Sequence, residues 1–295
     1  MTRSHPPTLL TLVKRALLEE CGVTKGAHVL LALSGGGDST ALLHALALLS
    51  KQLDFRVSAH GVDHGLRAEA SAELDAAEAQ CAALAVAFSR TKLQLNDGGN
   101  LQARARAARR AALLEAAELC AANRIATAHH ADDRAETVLI RLLRGSGPRG
   151  LSVLAPQDGI WIRPLCRARK SDVRAHLARH ALRFAEDPSN ANRRFLRARV
   201  RFELLPLLAE LSPQIVVHLC ALADALGETT KFDGTKAELG VALELNRAQR
   251  ELVGRALAFR QHSARVSLPS GRELSFDPAT FEPLLVAARP RLRKR

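Results

Sequence analysis

Two short runs of residues carry the types and spacing that chemistry needs. The first is Ser34, Gly35, Gly36, Gly37, Asp38 and Ser39, directly after the apolar run His28-Val-Leu-Leu-Ala-Leu33 and before the helical pattern that starts at Ala41. Three glycines let the backbone approach an anion closely, and backbone N–H groups at a helix N-terminus favour phosphate. No Gly-Lys-Ser/Thr ends the loop, so it is not a Walker A motif, and its glycine spacing is not that of a dinucleotide fingerprint. Amides, hydroxyls and a Mg²⁺ ion placed by Asp38 suit a loop that holds departing pyrophosphate. A plain glycine turn capped by Asp38 or Ser39 is the alternative.

The second run is His129-His-Ala-Asp-Asp-Arg-Ala-Glu136, again between an apolar run and a helical pattern. Asp132, Asp133 and Glu136 fall within one helical turn, and Asp132 and Glu136, four apart, share a face. Such a cluster can hold Mg²⁺, bind an ammonium group, or take a proton from an attacking amine. Acids in a first helical turn also satisfy helix-terminus electrostatics with no chemistry at all. Zinc ligation by His129 and His130 is a weaker reading, because no HExxH spacing or cysteine partner accompanies them.

These runs need elements to position them. Apolar segments at 28–33, 55–62, from 86 and at 124–128 alternate with helical patterns at 41–49, 68–84, 100–122 and 132–143. That rhythm predicts an α/β fold, a parallel sheet with helices on both faces, whose ligands sit beyond the carboxyl ends of the strands. Both chemical runs follow strands, so they are expected to line one crevice. The first residues predict an amphipathic helix. The boundary is placed after residue 208, with 209–295 a small, mainly helical C-terminal domain that includes helices at 213–226 and 247–260, a hairpin at 265–276 and a basic tail.

Composition narrows the classes. Forty-three Lys and Arg against thirty Asp and Glu give a formal charge of +13, which favours a polyanionic partner such as nucleic acid. Residues 163–201 hold twelve basic residues against three acidic ones, so much of the excess lies there. A generally Arg-rich composition is the competing explanation. Five cysteines at least 39 residues apart form no CxxC pair, so reduced thiols in a cytoplasmic protein are expected. No apolar run approaches the ~18 residues of a membrane span. With nine Phe, one Trp and no Tyr, the core must be aliphatic.

The 34–39 loop resembles that of the PP-loop ATP pyrophosphatases. The 129–137 run, with Leu143-Arg-Gly-Ser-Gly147, resembles the tRNA(Ile)-lysidine synthetases in particular. Val62-Asp-His-Gly-Leu-Arg67, Asn100-Leu-Gln102 with Arg106 and Arg109, Arg163-Pro-Leu165, Glu186-Asp-Pro-Ser-Asn190, and Phe195-Leu-Arg197 with Arg199 match the same family in order, over about residues 26–208. The resemblance implies ATP and Mg²⁺ as cofactors, a CAU-anticodon tRNA(Ile) and L-lysine as partners, no membrane, and leaves a homodimer open. It implies adenylation of the wobble cytidine and then displacement of AMP by lysine, giving lysidine and shifting decoding from AUG to AUA. Asp38, Arg106, Arg109, Asp132, Asp133 and Glu136 become the candidate catalytic residues, with Asp38 or Asp132 holding Mg²⁺. His129, His130, Arg144, Arg197 and Arg199 become candidate substrate-binding residues.

The chain departs from the family pattern at Ala198, where asparagine is usual, and at Arg110, where tyrosine is common. The 90 or so residues after Leu205 are few for the C-terminal domains of larger members, so a short form with a weaker grip on tRNA is expected. The basic stretch is expected to contact phosphates, and Phe184 and Phe195 are expected to be buried, with stacking on a base as the alternative for either. Related thiolation enzymes need paired cysteines, which are missing here.

Overall fold

The computed structural model describes residues 7–63, 69–93, 101–185 and 195–227, and, further on, residue 249 and residues 252–253, 265–267, 272–276 and 283–287. Two compact units divide the chain, Met1–Ala223 and Asp224–Arg295, so the expected boundary after residue 208 falls inside the first unit.

In the first unit, helix α1 (Leu9–Glu19) precedes strand β1 (His28–Leu33), helix α2 (Gly37–Leu53), strand β2 (Arg56–Asp63), helix α3 (Glu69–Ala83) and strand β3 (Ala87–Lys92). Helix α4 (Leu101–Leu119), strand β4 (Arg124–Ala126), helix α5 (Ala131–Leu143) and the short helix α6 (Pro148–Leu151) follow. Strands β5 (Gln157–Asp158) and β6 (Trp161–Ile162) lead to helix α7 (Lys170–Arg179). Helices α8 (Leu196–Arg199) and α9 (Leu205–Leu211) are joined by a π-helical turn, Val200–Leu204. Helix α10 spans Ile215–Gly227.

The six strands run in the order β3-β2-β1-β4-β6-β5, parallel except for β5, which pairs antiparallel with β6. The alternating sequence therefore does build the expected parallel sheet. Strand β1 is buried at all six positions, as a central parallel strand covered on both faces must be. Because side chains alternate, its Val29, Leu31 and Leu33 enter one core with α1, α2, α3 and α7, while Leu30 and Ala32 enter another with α4 and Trp161. Both cores are mainly aliphatic. Helix α1 buries Leu9, Val13, Ala16 and Leu17, the stripe expected of an amphipathic helix.

The chain starts at β1, builds outward through β2 and β3, then returns to the other side of β1 for β4. Connections after β1 and after β4 thus leave in opposite directions, which opens a crevice at their carboxyl ends. Sequence patterning did not reveal α7 or the β5–β6 pair, because α7 is too polar to show a stripe and the strands are two residues each.

In the second unit, the described residues include an antiparallel sheet of β7 (Val266–Ser267), β8 (Arg272–Phe276) and β9 (Pro283–Ala287). The expected hairpin is present as β7 and β8, and β9 adds a strand that was not expected. Most of the helix expected at 247–260, and the basic tail, lie outside the described residues. Among the described residues, no single helix is long and apolar enough to cross a membrane.

Ile125, fully buried in the three-residue strand β4, anchors the crevice wall. Ile125→Ala is expected to lower unfolding free energy by about 3 kcal/mol through lost burial and a cavity. Chemical denaturation would measure this, and a loss below about 1 kcal/mol would mean that the wall relaxes freely.

Candidate active site at the carboxyl ends of β1 and β4

Gly35 turns the chain at φ +77°, and a Cβ there would lie 2.9 Å from the backbone oxygen of Glu73. Only glycine fits. Gly36 then caps α2 without a side-chain hydrogen bond, so the first amides of that 17-residue helix point into the crevice unclaimed by a capping side chain. Ser39 Oγ donates to the Gly36 carbonyl at 2.9 Å, accepts from the Ser34 amide at 3.3 Å and lies 3.1 Å from Ser34 Oγ. Ser39 is therefore a brace within the loop. From the far side, the Ala185 amide donates to the Gly35 carbonyl at 3.0 Å.

His130 caps α5. Its Nδ1 accepts from the Asp133 amide and its own amide donates to Asp133 Oδ2, both at 3.2 Å, a reciprocal capping box. With Nδ1 accepting, the neutral ring carries its hydrogen on Nε2. That buried nitrogen has no hydrogen-bond partner and lies 3.7 Å from Asp38 Oδ2. The two chemical runs, almost a hundred residues apart in sequence, thus meet across the crevice.

The carboxylates divide sharply. Asp132 is held by Arg169, with contacts of 3.0 to 3.2 Å, and by the Lys170 amide at 2.8 Å, so it ties α5 to the start of α7. Asp133 and Glu136 are buried and share two arginines. Arg201 reaches Glu136 at 2.6 and 2.9 Å and Asp133 at 3.1 Å. Arg197 reaches them at 3.2 and 3.3 Å while remaining half exposed. Burial pushes the Asp133 carboxyl up, but the His130 ring and amide, His129 and Arg197 outweigh it and hold the group below its ordinary value. Burial works against the Arg201 charge, and its bond to Glu136 more than restores it.

Arg201 was not among the expected site residues, although its i, i+4 spacing from Arg197 was there to read. Arg199, which was expected, points elsewhere and pairs with exposed Glu203 at 3.1 Å. Arg144 ends α5, and 13 residues at ~1.5 Å each put it about 20 Å from the His130 end. It is not part of the constellation. Arg109 is near enough to His129 to affect its charge, as are Arg163 and Arg197. Burial, and then neighbouring Arg106, lower the pKa of Arg109, whereas Arg106 itself is exposed. His129 donates to or accepts from Thr127 Oγ1 at 3.0 Å, and burial together with these arginines lowers its pKa to about 4.

Part of the basic stretch is engaged within the protein. Arg167, Arg169, Arg197, Arg199 and Arg201, five of its twelve basic residues, pair with carboxylates. Phe184 and Phe195, expected to be buried, are 40% and 56% exposed. Residues 64–68, 94–100 and 186–194, which carry further matched motifs, lie outside the described residues. Only Asp38 of the two expected Mg²⁺ ligands keeps an accessible carboxylate, 40% exposed beside the loop, since Asp132 is occupied by Arg169.

A family model for the PP-loop domain matches residues 9–208. The chain belongs to the PP-loop family. Its PP-loop domain is similar to tRNA(Ile)-lysidine synthases: 40% identical over 222 residues to that of Xanthomonas campestris pv. campestris, covering 73% of this chain and 49% of the relative. The Pseudomonas fluorescens enzyme is 39% identical over 225 residues, covering 72% and 50%, and the Leifsonia xyli enzyme 42% identical over 207 residues, covering 69% and 62%. The chain spans about half the length of most of the curated relatives it matches. A solved U34-tRNA thiolase from Methanococcus maripaludis shares the fold, with TM-score 0.66 and 20% identity over 75% of this chain and 78% of its own.

Removing Arg201 leaves two buried carboxylates with only the longer contacts of half-exposed Arg197, whereas Arg199 serves only an exposed pair. Arg201→Ala should cost about 3 to 5 kcal/mol of stability and Arg199→Ala less than about 1 kcal/mol, measured by urea unfolding. Equal costs would contradict the assignment of Arg201 to the buried pair.

Acid should destabilise the domain in two windows. His129, with its folded pKa lowered to about 4 from 6.5, takes up a proton on unfolding, so stability falls as pH drops from 6.5 toward 4. Asp133, lowered from 3.8, contributes stability that is present above 3.8 and is lost below it. His129→Gln should reduce the upper window in a urea-midpoint series against pH, leaving the share that His176, also lowered to about 4, contributes over the same range.

Proposed function

We propose that this protein uses ATP to join free L-lysine to C2 of the wobble cytidine in a CAU-anticodon tRNA(Ile). The observation that carries the reading is the meeting of a phosphate loop and a buried carboxylate pair across one crevice, with His130 Nε2 3.7 Å from Asp38. The similarity of the domain to tRNA(Ile)-lysidine synthases supports the choice of substrates.

In the first step the cytidine 2-oxygen attacks the α-phosphorus of ATP and pyrophosphate leaves, giving an adenylated base. Amides of Gly37, Asp38 and Ser39 at the start of α2 hold the departing phosphates. Arg109 and Arg163 supply positive potential near the α-phosphate as its charge grows. Asp38, whose accessible carboxylate fits a hard cation, would hold Mg²⁺, which neutralises phosphate charge. Asp132 is assigned instead to holding α5 against α7.

In the second step the lysine ε-ammonium gives a proton to the Asp133–Glu136 pair, the neutral amine forms a bond to C2, and the C2–oxygen bond breaks as AMP leaves. The ε-ammonium needs a buried anionic seat, and the Asp133–Glu136 pair is one. Half-exposed Arg197, with the longer contacts, fills that seat in the free protein and moves aside for lysine. Arg201 stays to keep one positive charge on the pair. The anticodon base is already unpaired in its loop, so no duplex has to be opened.

The deciding experiment follows radiolabelled lysine into an unmodified CAU-anticodon tRNA(Ile) transcript, with and without ATP, beside elongator tRNA(Met). Label is expected only in tRNA(Ile) with ATP, and Asp38→Ala should reduce pyrophosphate release by about 100-fold or more. Pyrophosphate release with no label would remove lysine as the nucleophile. Arg197→Ala is expected to lower KM for lysine if Arg197 occupies its seat, and a raised KM would overturn that role.

A further inference from the structure

Where α7 packs on α2, three imidazoles converge. His44 lies midway along α2, and His176 and His180 lie four apart on α7, so the α7 pair shares one helix face. His44 Nδ1 is 3.0 Å from His176 Nε2, and the ring centroids lie 4.6 to 5.1 Å apart. One nitrogen from each ring falls within 4.8 Å of the others, the only such group of three or more His, Cys, Asp or Glu among the described residues. We propose that His44, His176 and His180 form a binding site for a divalent transition metal of the zinc class that clasps α2 to α7.

The donor set fits that chemistry. Tetrahedral zinc at ~2.0–2.1 Å from each nitrogen needs donor atoms about 3.4 Å apart, which these rings reach with small rotations. Imidazole suits zinc, copper and nickel and does not suit calcium or magnesium, which prefer oxygen. His180, exposed at the end of α7, leaves the fourth position open to a solvent ligand.

For His44 and His176 the protein favours the neutral form that binds metal. Burial, and then His180 and His44, lower the pKa of His176 to about 4, and burial, then His180, lowers that of His44. Nearby Arg179 adds to the effect on His176, although its charge also opposes an incoming ion. Without a metal, the contact of His44 with His176 is one hydrogen bond between two rings, each able to donate only one hydrogen when neutral. Metal binding would exchange that single bond for three coordinate bonds.

The clasp would act on the crevice through two contacts. Leu177, next to His176, packs so closely on the loop that a Cβ on Gly37 would lie 3.2 Å from its Cδ1. Arg169, just before α7, holds Asp132. Fixing α7 against α2 therefore stiffens the supports of both chemical runs, and this holds whatever the substrates are.

The test uses the untagged full chain, stripped with chelator and titrated with Zn²⁺ or Co²⁺ alone. About one ion per chain should bind, Co²⁺ should give the visible absorption of a tetrahedral nitrogen site, and Tm should rise by about 5 °C or more at a Zn²⁺ concentration about a hundredfold above Kd. His180→Ala alters an exposed residue and is expected to fold, which circular dichroism would verify, while binding Zn²⁺ at least about tenfold more weakly. His44→Gln should do the same. Failure of the wild-type chain to bind Zn²⁺ at tens of micromolar, or His180→Ala binding as tightly as wild type, would overturn the proposal.

Discussion

Two carboxylates, Asp133 and Glu136, are buried, and the arrangement of the site follows from the need to compensate their charge. Desolvating an ion costs several kcal/mol even after relaxation, so a buried acid pair persists only with cations held in good geometry. The protein meets this need in two ways. The N-terminus of α5 gives its dipole and the His130 capping box to Asp133, and a separate helical segment far along the chain delivers Arg197 and Arg201. Such a network adds little net stability compared with a well-packed apolar replacement. Its retention is thus an argument for use.

The delivery of those arginines has a local cause. Pro206 has no N–H, so it cannot donate to the Phe202 carbonyl as a continuing α-helix would require. The chain responds with the π turn Val200–Leu204, in which the Leu205 amide reaches back to the Val200 carbonyl. Arg201 lies inside that turn and Arg197 one turn before it. Ala198 is buried between them and has no polar group to offer. The charge work in this segment therefore rests on the two arginines.

The large-scale fold was legible because a parallel sheet writes itself as short apolar runs alternating with helical patterns. β1, fully buried, is an uninterrupted apolar run, and the loop after it announces itself through Gly35, which no other residue can replace. The chemistry of the second run was legible in type and not in assignment. Asp132, Asp133 and Glu136 look equivalent in sequence, yet their roles are set by Arg169 for the first and by Arg197 and Arg201 for the others, across separations of 37 to 68 residues. Net charge pointed to a kind of partner and not to the residues that would meet it. It counts arginines without showing that five of those in 163–201 face carboxylates of the same molecule.

Helix α7 illustrates what such long-range pairing does. It has no apolar stripe strong enough to be recognised, and it reads as solvated surface. In the folded chain, Val173 and Leu177 enter the main core, the Arg169 cap holds Asp132, Leu177 presses on Gly37, and His176 meets His44. Each contact is modest alone. Together they make one polar helix the strut between the phosphate loop and the acid cluster, two groups that must keep their separation to within a fraction of an ångström for any transfer between them to work. A helix fixed at four points by different interactions cannot relieve strain at one without disturbing the others, and that mutual constraint holds the crevice to a single geometry.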